Sequence, residues 1–310
     1  MAFRTAIAQT NYDSVFEPAG GGRPAKLTIR LKVALNPLDP AAPWVAQPQN
    51  GQQPPTHITN NLAGVRKGPV VDYNGSPFPC RSWIANEWNA FKIRFKQMVE
   101  VGWNNQILLL PTDDDQDHRL TDEEFRQLVF NPRYPAYVAC AIDIQLVPIG
   151  GVSHALIEVA HLDHSSPQNG TFRVWMNRLT DESNEFTTFH WQQWPDTTFR
   201  QITSAHEVGH WLRRLVSTYF EHIDAAYAAT QPPAARAHAQ YGHTETLRSA
   251  MMGDGSVATD HEAMPWLTRM VRHAHMSLGW TFMHRANFDT AMPEISPRQR
   301  ALFTQLATYR

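Results

Sequence analysis

The residues best suited to chemistry in this 310-residue chain are two histidines four positions apart, His206 and His210, with Glu207 directly after the first. On an α-helix, positions i and i+4 lie on one face, so the two imidazoles can converge on one metal ion. Glu207 projects beside them, where a carboxylate can polarise a metal-bound water. Two neutral nitrogen ligands, an open coordination position and an adjacent base favour Zn²⁺ and hydrolysis. The alternative interpretation is a pair of surface histidines on an amphipathic helix.

The overall composition excludes two other classes of function. Charge is nearly balanced, with 27 basic and 29 acidic residues, and no basic stripe of the kind that binds nucleic acid is present in the sequence. The longest apolar segment, residues 137–152, is interrupted by Asp143, Gln145 and Pro148. It is therefore too polar for a membrane span, and we expect none.

The first residues and the cysteines bear on the compartment. Residues 1–10 lack the apolar core of a signal peptide, so we expect a cytoplasmic protein, or one loaded into a secretion particle for delivery outside the cell. Cys80 and Cys140 are too few for a disulfide framework. Two possibilities stay open, a single disulfide between the two cysteines or two buried thiols.

Hydrophobic periodicity predicts five strands and one early helix ahead of the histidine motif. The helix, Ser82–Val101, follows the first strand and carries Trp83, Trp88, Phe91, Phe95 and Val99 near one stripe. The turn Gly150-Gly151 makes the fourth strand the expected antiparallel partner of the third. The predicted strands are Lys26–Leu35, Ile107–Leu110, Tyr137–Val147, His154–His161 and Thr171–Met176.

Other local patterns complete the outline. Thr198-x-x-Gln201 predicts a capping box that opens the helix with the histidines. Gly209 inside that helix indicates a site where another backbone passes close beneath the metal. The remaining predicted features are a long surface connection at 36–79, a solvated acidic loop at Thr112–Asp117, a short helix opened by Thr121-x-x-Glu124, and helices at Leu267–Leu278 and from Ser296 to Leu306.

The order of these elements, with the His206-Glu207-x-x-His210 helix last, resembles the upper subdomain of zincin metallopeptidases, in particular the metzincin branch. In that family a twisted sheet backs the active-site helix and an edge strand pairs with extended substrate. The strand at 154–161 would be that edge. Residues 241–255 resemble the family's Met-turn, a tight bend that places a methionine under the zinc. Met251 or Met252 would fill that place, although ordinary core packing also accounts for the pair.

The chain departs from the metzincin pattern at the third ligand. Arg213 and Val216 stand where the family has a glycine and its third ligand. No glycine or proline interrupts residues 211–227, and a continuous helix would put His222 about 18 Å along the axis from His210. We therefore expect His222 to be a surface histidine.

The third ligand must then come from further along the chain. His261 follows the Met-turn segment and is the first choice, and His243 precedes it and is the second. An acid is the remaining alternative, in the form of Glu221, Asp260 or Glu262.

A second, less specific resemblance covers about the last third of the chain. Tyr241-Gly242, the Met-Gly-x-Gly segment ending at Gly255, and Pro265-Trp266 are similar to His-Glu-x-x-His proteins associated with bacterial contractile injection systems. This resemblance implies a toxin, effector or other cargo of a secretion particle.

Together these patterns predict an α/β (α+β) zincin-like fold with a twisted mixed sheet of about five strands. Residues 1–310 would form a single catalytic domain, with an upper part at 25–212 and a mainly helical lower part at 213–310. The expected function is zinc-dependent endopeptidase action on a protein or peptide, with Glu207 as general base. Tyr241, or whichever of His243 and His261 is not a ligand, would stabilise the oxyanion.

Two other classes of function remain open at this stage. The first is a structural or adaptor component, for which a closed four-ligand site using both His243 and His261 would argue, because catalytic zinc keeps an open position. The second is a surface-binding module, suggested by the Trp-rich and Pro-rich upper half of the chain. Exposed, coplanar tryptophans near residues 36–79 would support it, and burial of Trp83 and Trp88 against the sheet would count against it.

Overall fold

The computed structural model describes residues 6–7, 11–19, 24–38, 70–71, 77–78, 80–111, 137–164, 174, 176–213, 222–274 and 280–284. Four predicted features lie wholly or mostly outside these residues. They are the connection at 36–79, the acidic loop at 112–117, the short helix opened by Thr121 and the helix from Ser296.

The described residues form a mixed α/β structure, with a curled mixed sheet and several helices. A short 3₁₀ helix, Asp181–Asn184, follows the ninth strand. In chain order the strands and α-helices are β1 (Ala6–Ile7), β2 (Asp13–Glu17), β3 (Ala25–Pro37), β4 (Val70–Val71), β5 (Pro77–Phe78), α1 (Ala85–Trp103), β6 (Ile107–Pro111), β7 (Val138–Val147), β8 (Ala155–Ala160), β9 (Arg178–Thr180), β10 (Phe186–Trp191), β11 (Trp194–Ile202), α2 (Thr203–Arg213), α3 (Ala225–Thr230), α4 (Pro233–Ala239), α5 (Glu245–Arg248), α6 (Asp260–Ala274) and β12 (Trp280–His284).

The long strand β3 is the centre of the main sheet. One edge of β3 pairs with β7 in parallel, while its other edge pairs with β2 over residues 26–30 and with β8 over residues 33–37. The outer strands are β1, which pairs with β2, β9, which pairs with β8, and β6 and β12, which extend the sheet beyond β7. One edge of β3 thus serves two partners, and the eight strands form a curled sheet. The predicted strands at 26–35, 107–110 and 137–147 are confirmed.

The prediction for the strand at 154–161 is wrong in its pairing. β8 runs parallel to β3 and to β9, and does not pair with β7. The reason is that β3 lies between β7 and β8, so the turn at Gly150 connects two strands that flank a third. Since β8 has neighbours on both sides at Glu158 and Val159, it is not the free edge that the resemblance implied.

The prediction of a capping box at Thr198 is also wrong. Residues 194–202 form β11, which pairs with β10 in an antiparallel hairpin, and α2 begins directly afterwards at Thr203. Phe199 and Ile202 are buried as residues of this strand and not of a helix. Most of the predicted strand at 171–176 lies outside the described residues; Val174 and Met176, which are described, lie outside any strand, and β9 begins at Arg178.

The core lies between the sheet and helices α1 and α2. Phe91, Phe95 and Val99 are buried from α1, as their spacing predicted, and α1 packs on β7 and α2. Trp103 and Trp266 are the largest fully buried side chains, and their indole nitrogens donate to the carbonyls of Ala205 and Ala141. Both indole N–H groups are thus satisfied inside the core, as burial of a tryptophan requires.

Three further findings bear on the sequence predictions. Strand β12 comes from the predicted lower half of the chain but pairs with β6 of the main sheet. Cys80 and Cys140 form no disulfide, and Cys140 is buried. Among the described residues, no helix combines the length and apolarity needed to cross a membrane.

Candidate metal centre

Helix α2 carries the histidine motif into the centre of the molecule. It follows β11 without a connecting loop, so the hairpin of β10 and β11 fixes where the helix begins. Residues 204–213 are all buried, including His206, Glu207 and His210. A helix buried on every side must have its polar groups satisfied within the protein or by a ligand.

Three histidines converge beside this helix. One ligand atom from each of His206, His210 and His222 lies within 4.8 Å of the others. The ring centroids are 5.0 Å apart for His206 and His210, 4.8 Å for His210 and His222, and 5.3 Å for His206 and His222. Within the described part of the chain, this is the one set of three or more His, Cys, Asp or Glu side chains close enough to hold a metal ion.

The third member of the cluster corrects a prediction. His222 was expected on the surface, about 18 Å from His210 along a continuous helix, and that expectation is wrong. The backbone beside His222 is held in place by the segments around it, because Ile223 N donates to Met252 O and Asp224 N donates to Gln240 O. A sequence signal for this was the Asp224-Ala-Ala pattern, since aspartate before an alanine-rich run is typical of a new helix start.

All three imidazoles are in the protonation state that binds metal. Burial lowers the pKa of His206 to about 4 and that of His222 to about 3. Burial and the two neighbouring rings hold the pKa of His210 well below its usual value. The rings are therefore neutral at pH 7, and a neutral imidazole offers a nitrogen lone pair to a cation.

A tight turn at residues 250–257, called the methionine turn below, orients the first ligand. The carbonyl of Met251 accepts a hydrogen bond from His206 Nδ1 at 2.7 Å, which leaves Nε2 as the nitrogen for a metal. Gln201 of β11 donates to the Gly253 carbonyl at 2.6 Å and ties the hairpin to the same turn. A hydrogen-bond partner on the ring nitrogen that does not face the metal fixes the tautomer and orientation of the imidazole, as is usual for metal-bound histidine.

The side chain of Met252 lies under helix α2 at Gly209. A Cβ atom on Gly209 would clash with Met252 Sδ and stand 3.0 Å from Trp103 Cζ2. The glycine predicted another backbone at this position, but the side chains of Met252 and Trp103 occupy it. Glycine at this position therefore allows the methionine turn to pack closely against the helix.

Replacing Gly209 with alanine is expected to destabilise the protein by about 1–3 kcal/mol, the usual cost of overpacking a core. The direction of the stability change is informative, because alanine normally stabilises a helix interior by up to about 1 kcal/mol relative to glycine. Chemical denaturation of wild type, Gly209→Ala, Met252→Ala and the double variant measures this. The double variant should lose less stability than the sum of the two single variants, since truncating Met252 removes the clash. A Gly209→Ala protein more stable than wild type would contradict the packing described.

Glu207 is the buried acid beside the cluster. Burial raises the pKa of its carboxyl to about 8 in the metal-free protein. A nearby cation lowers such a pKa, because the opposite charge favours the ionised form. Glu207 thus has a carboxyl whose pKa lies close to neutral pH, the range suited to a general base.

Tyr241, which the sequence predicts as a site residue, lies against the cluster. Its ring centroid is 4.1 Å from that of His222 and 6.1 Å from that of His206. The following residue, Gly242, has a φ of 123°, and a Cβ there would lie 2.6 Å from Arg248 N. Gly242 therefore permits the turn that brings the tyrosine to the histidines.

The structure does not bring the two favoured third ligands into the cluster. His261 accepts a hydrogen bond from Arg213 Nη1, with 2.6 Å to its Nδ1. His243 is exposed, stacks on Tyr227 and bonds through Nδ1 to Asp224 Oδ2 at 2.5 Å. The geometry favours His222 over both as third ligand, because their imidazoles are engaged elsewhere.

The acids weighed as third ligands also have other positions or partners. Glu262 is fully buried and accepts from the backbone N–H groups of Met252 and Thr259. Burial raises the pKa of Glu262, but hydrogen bonds from His261 and Thr259 outweigh that effect, and the pKa lies below its usual value. Asp260 Oδ1 accepts from the backbone of His261, and Glu221 lies outside the described residues.

The donor set fits a zinc ion. Three neutral imidazoles are typical ligands of catalytic zinc, with the fourth position left open. The Nδ1 atom of His210 is buried without a hydrogen-bond partner, and such an atom is costly unless a ligand satisfies the ring. His206, His210 and His222 would hold the ion, with Glu207 and Tyr241 beside it.

Comparisons of the chain with protein-family models, curated proteins and solved structures gave no match.

Proposed function

We propose that this chain is a zinc-dependent peptidase of zincin type, with a site formed by His206, His210 and His222. The observation that supports it most is the convergence of three neutral imidazoles, of which His206 and His210 are buried and His222 is half-buried, next to a buried carboxyl. A bound zinc ion supplies a water of lowered pKa and polarises the substrate carbonyl. A site with three protein ligands leaves a coordination position for that chemistry.

Glu207 moves the proton in this proposal. Its carboxylate accepts a proton from the attacking water and delivers it to the leaving amine. A carboxyl with a pKa near 8 in the metal-free site holds a proton readily, and a nearby cation favours the ionised form that must accept it. One residue can therefore act as base and then as acid at neutral pH.

Tyr241 is the proposed stabiliser of the developing oxyanion. Its ring lies beside that of His222, on the segment whose turn Gly242 permits. A phenol hydroxyl aimed at the reacting carbonyl can donate a hydrogen bond to the charge that develops there. The role of the methionine turn is to orient His206 through the Met251 carbonyl and to support α2 through Met252.

The rival interpretations receive less support. A closed structural site was expected to use His243 and His261, and neither lies in the cluster. Trp88 stacks on Phe91, and Trp83 contacts the same ring at a tilt. Both pack against the core, and Trp83 Nε1 donates to Val159 O, so they do not form an exposed binding platform. Association with an injection particle, and the compartment in which the protein acts, stay predictions from the sequence.

The test is cleavage of a peptide library, read by mass spectrometry, with the full chain loaded with one equivalent of zinc. The proposal predicts cleavage that stops when a chelator removes the metal and returns when zinc is restored. Stoichiometric zinc without cleavage of any peptide in a broad library would overturn the peptidase assignment and favour a structural metal.

A further inference from the structure

A buried arginine outside the histidine cluster connects the two segments that support it. Arg248, the last residue of α5, is 3% exposed. Its Nη1 donates to Asp254 Oδ2 at 2.5 Å, and both side chains of this pair are buried. A buried ion pair of this kind rarely stabilises a protein more than apolar packing would. We therefore ask whether Arg248 fixes the geometry of the segments around it.

The remaining donors of Arg248 hold the segment that carries Tyr241. Nε and Nη2 donate to the Gly242 carbonyl at 3.1 Å and 2.8 Å, and Nη2 also donates to the His238 carbonyl at 2.9 Å. Tyr241 lies between these two anchored residues. One guanidinium therefore fixes the backbone on both sides of the tyrosine.

The same guanidinium reaches the methionine turn. Asp254 stands three residues after Met251, whose carbonyl accepts from His206 Nδ1, and the Asp254 backbone N–H donates to Arg248 O at 2.8 Å. On its face the guanidinium carbon lies 4.1 Å from the ring centroid of Trp191 in the hairpin ahead of α2. Arg248 thus contacts three elements that surround the metal centre.

We infer that Arg248 is a positioning residue for the metal centre, which joins the Tyr241 segment to the methionine turn and thereby sets the orientation of His206. The inference rests on the proposed zinc site but does not require that the site cleave peptides. The planar fork of arginine is what permits simultaneous bonds to a carboxylate and to two carbonyls, and lysine cannot reproduce it.

The test compares Arg248→Lys with the matched control Arg236→Lys, an exposed arginine on α4 whose Nε donates to the Gln231 carbonyl. Arg248→Lys should bind zinc about 10- to 100-fold more weakly in chelator competition, the usual effect of losing support behind a metal ligand. Its cobalt-substituted form should show an altered visible spectrum. Arg236→Lys should match wild type in both. Circular dichroism establishes that each variant is folded.

Two further measurements keep the outcome decisive. If Arg248→Lys fails to fold, Asp254→Asn serves in its place and should also weaken zinc binding, by a smaller factor. In metal-free protein, ¹⁵N NMR should show the Nδ1–H tautomer of His206 in wild type and lose it in the Arg248 variant. Zinc affinity, cobalt spectrum and tautomer all unchanged in a folded Arg248→Lys protein would overturn the inference. Wild-type zinc binding without peptide cleavage would overturn the proposed function and leave this inference standing.

Discussion

Replacing Glu207 with glutamine is expected to lower peptide hydrolysis by about 10²- to 10⁴-fold, the usual contribution of a general base, while zinc stays bound. The amide is isosteric but cannot accept and return a proton. The change should leave the fold intact, because the metal-free site already holds this carboxyl with a raised pKa of about 8, so a neutral side chain is accommodated there. Rates on a cleaved library peptide and zinc content by elemental mass spectrometry measure the two effects together.

The matched control for Glu207→Gln is Glu17→Gln, the same chemical change at the exposed last residue of strand β2. The control should keep wild-type rate and zinc content. Full activity in Glu207→Gln would show that the proton passes through another group, and loss of zinc together with activity would show that Glu207 serves the metal instead.

The second large effect is expected at His222. Removing its imidazole in His222→Ala should weaken zinc binding by more than about 100-fold, since the loss of a direct ligand exceeds the 10- to 100-fold cost of losing a supporting contact. The physical reason is that His206 and His210 alone leave the ion two positions short of a stable tetrahedral site. Competition with a chromogenic chelator gives the affinity.

His261→Ala and His243→Ala are the controls, because the sequence favoured both residues and the structure engages their rings with Arg213 and Asp224. Each should retain one equivalent of bound zinc. The opposite pattern, with zinc retained in His222→Ala and lost in His261→Ala, would restore the third ligand that the sequence indicated.

Much of the scaffold could be predicted because the relevant signals are local. Strict alternation at 26–35 identified β3, and the apolar stripe of Phe91, Phe95 and Val99 identified α1. The His-Glu-x-x-His spacing needed only helix geometry to place two imidazoles on one face. Each of these inferences depends on residues within a few positions of one another, so tertiary packing did not alter them.

The failures concern contacts between distant segments. Antiparallel pairing of the strands at 137–147 and 154–161 was the simplest connection, but β3 inserts between them from more than 100 residues earlier. Thr198 and Gln201 matched a capping box, yet pairing with β10 made the segment a strand. In both cases hydrogen bonds to a partner elsewhere in the chain decided the structure, and the local pattern did not contain that partner.

The third ligand shows the same limit at the site. The absence of glycine or proline in residues 211–227 made a continuous helix the natural extrapolation, but composition alone does not require a helix to continue. The position of His222 depends instead on bonds from Ile223 and Asp224 to the distant residues Met252 and Gln240. The helix-start signal at Asp224 was the one local indication that a new helix begins after His222.

The measurement that tests the central claim most directly is anomalous diffraction at the zinc edge from crystals of zinc-loaded protein. The proposed site predicts one strong peak about 2.0–2.1 Å from a ring nitrogen of each of His206, His210 and His222, with Glu207 and Tyr241 beside it. A peak that excludes His222, or no peak near helix α2 in fully loaded protein, would contradict the metal centre described.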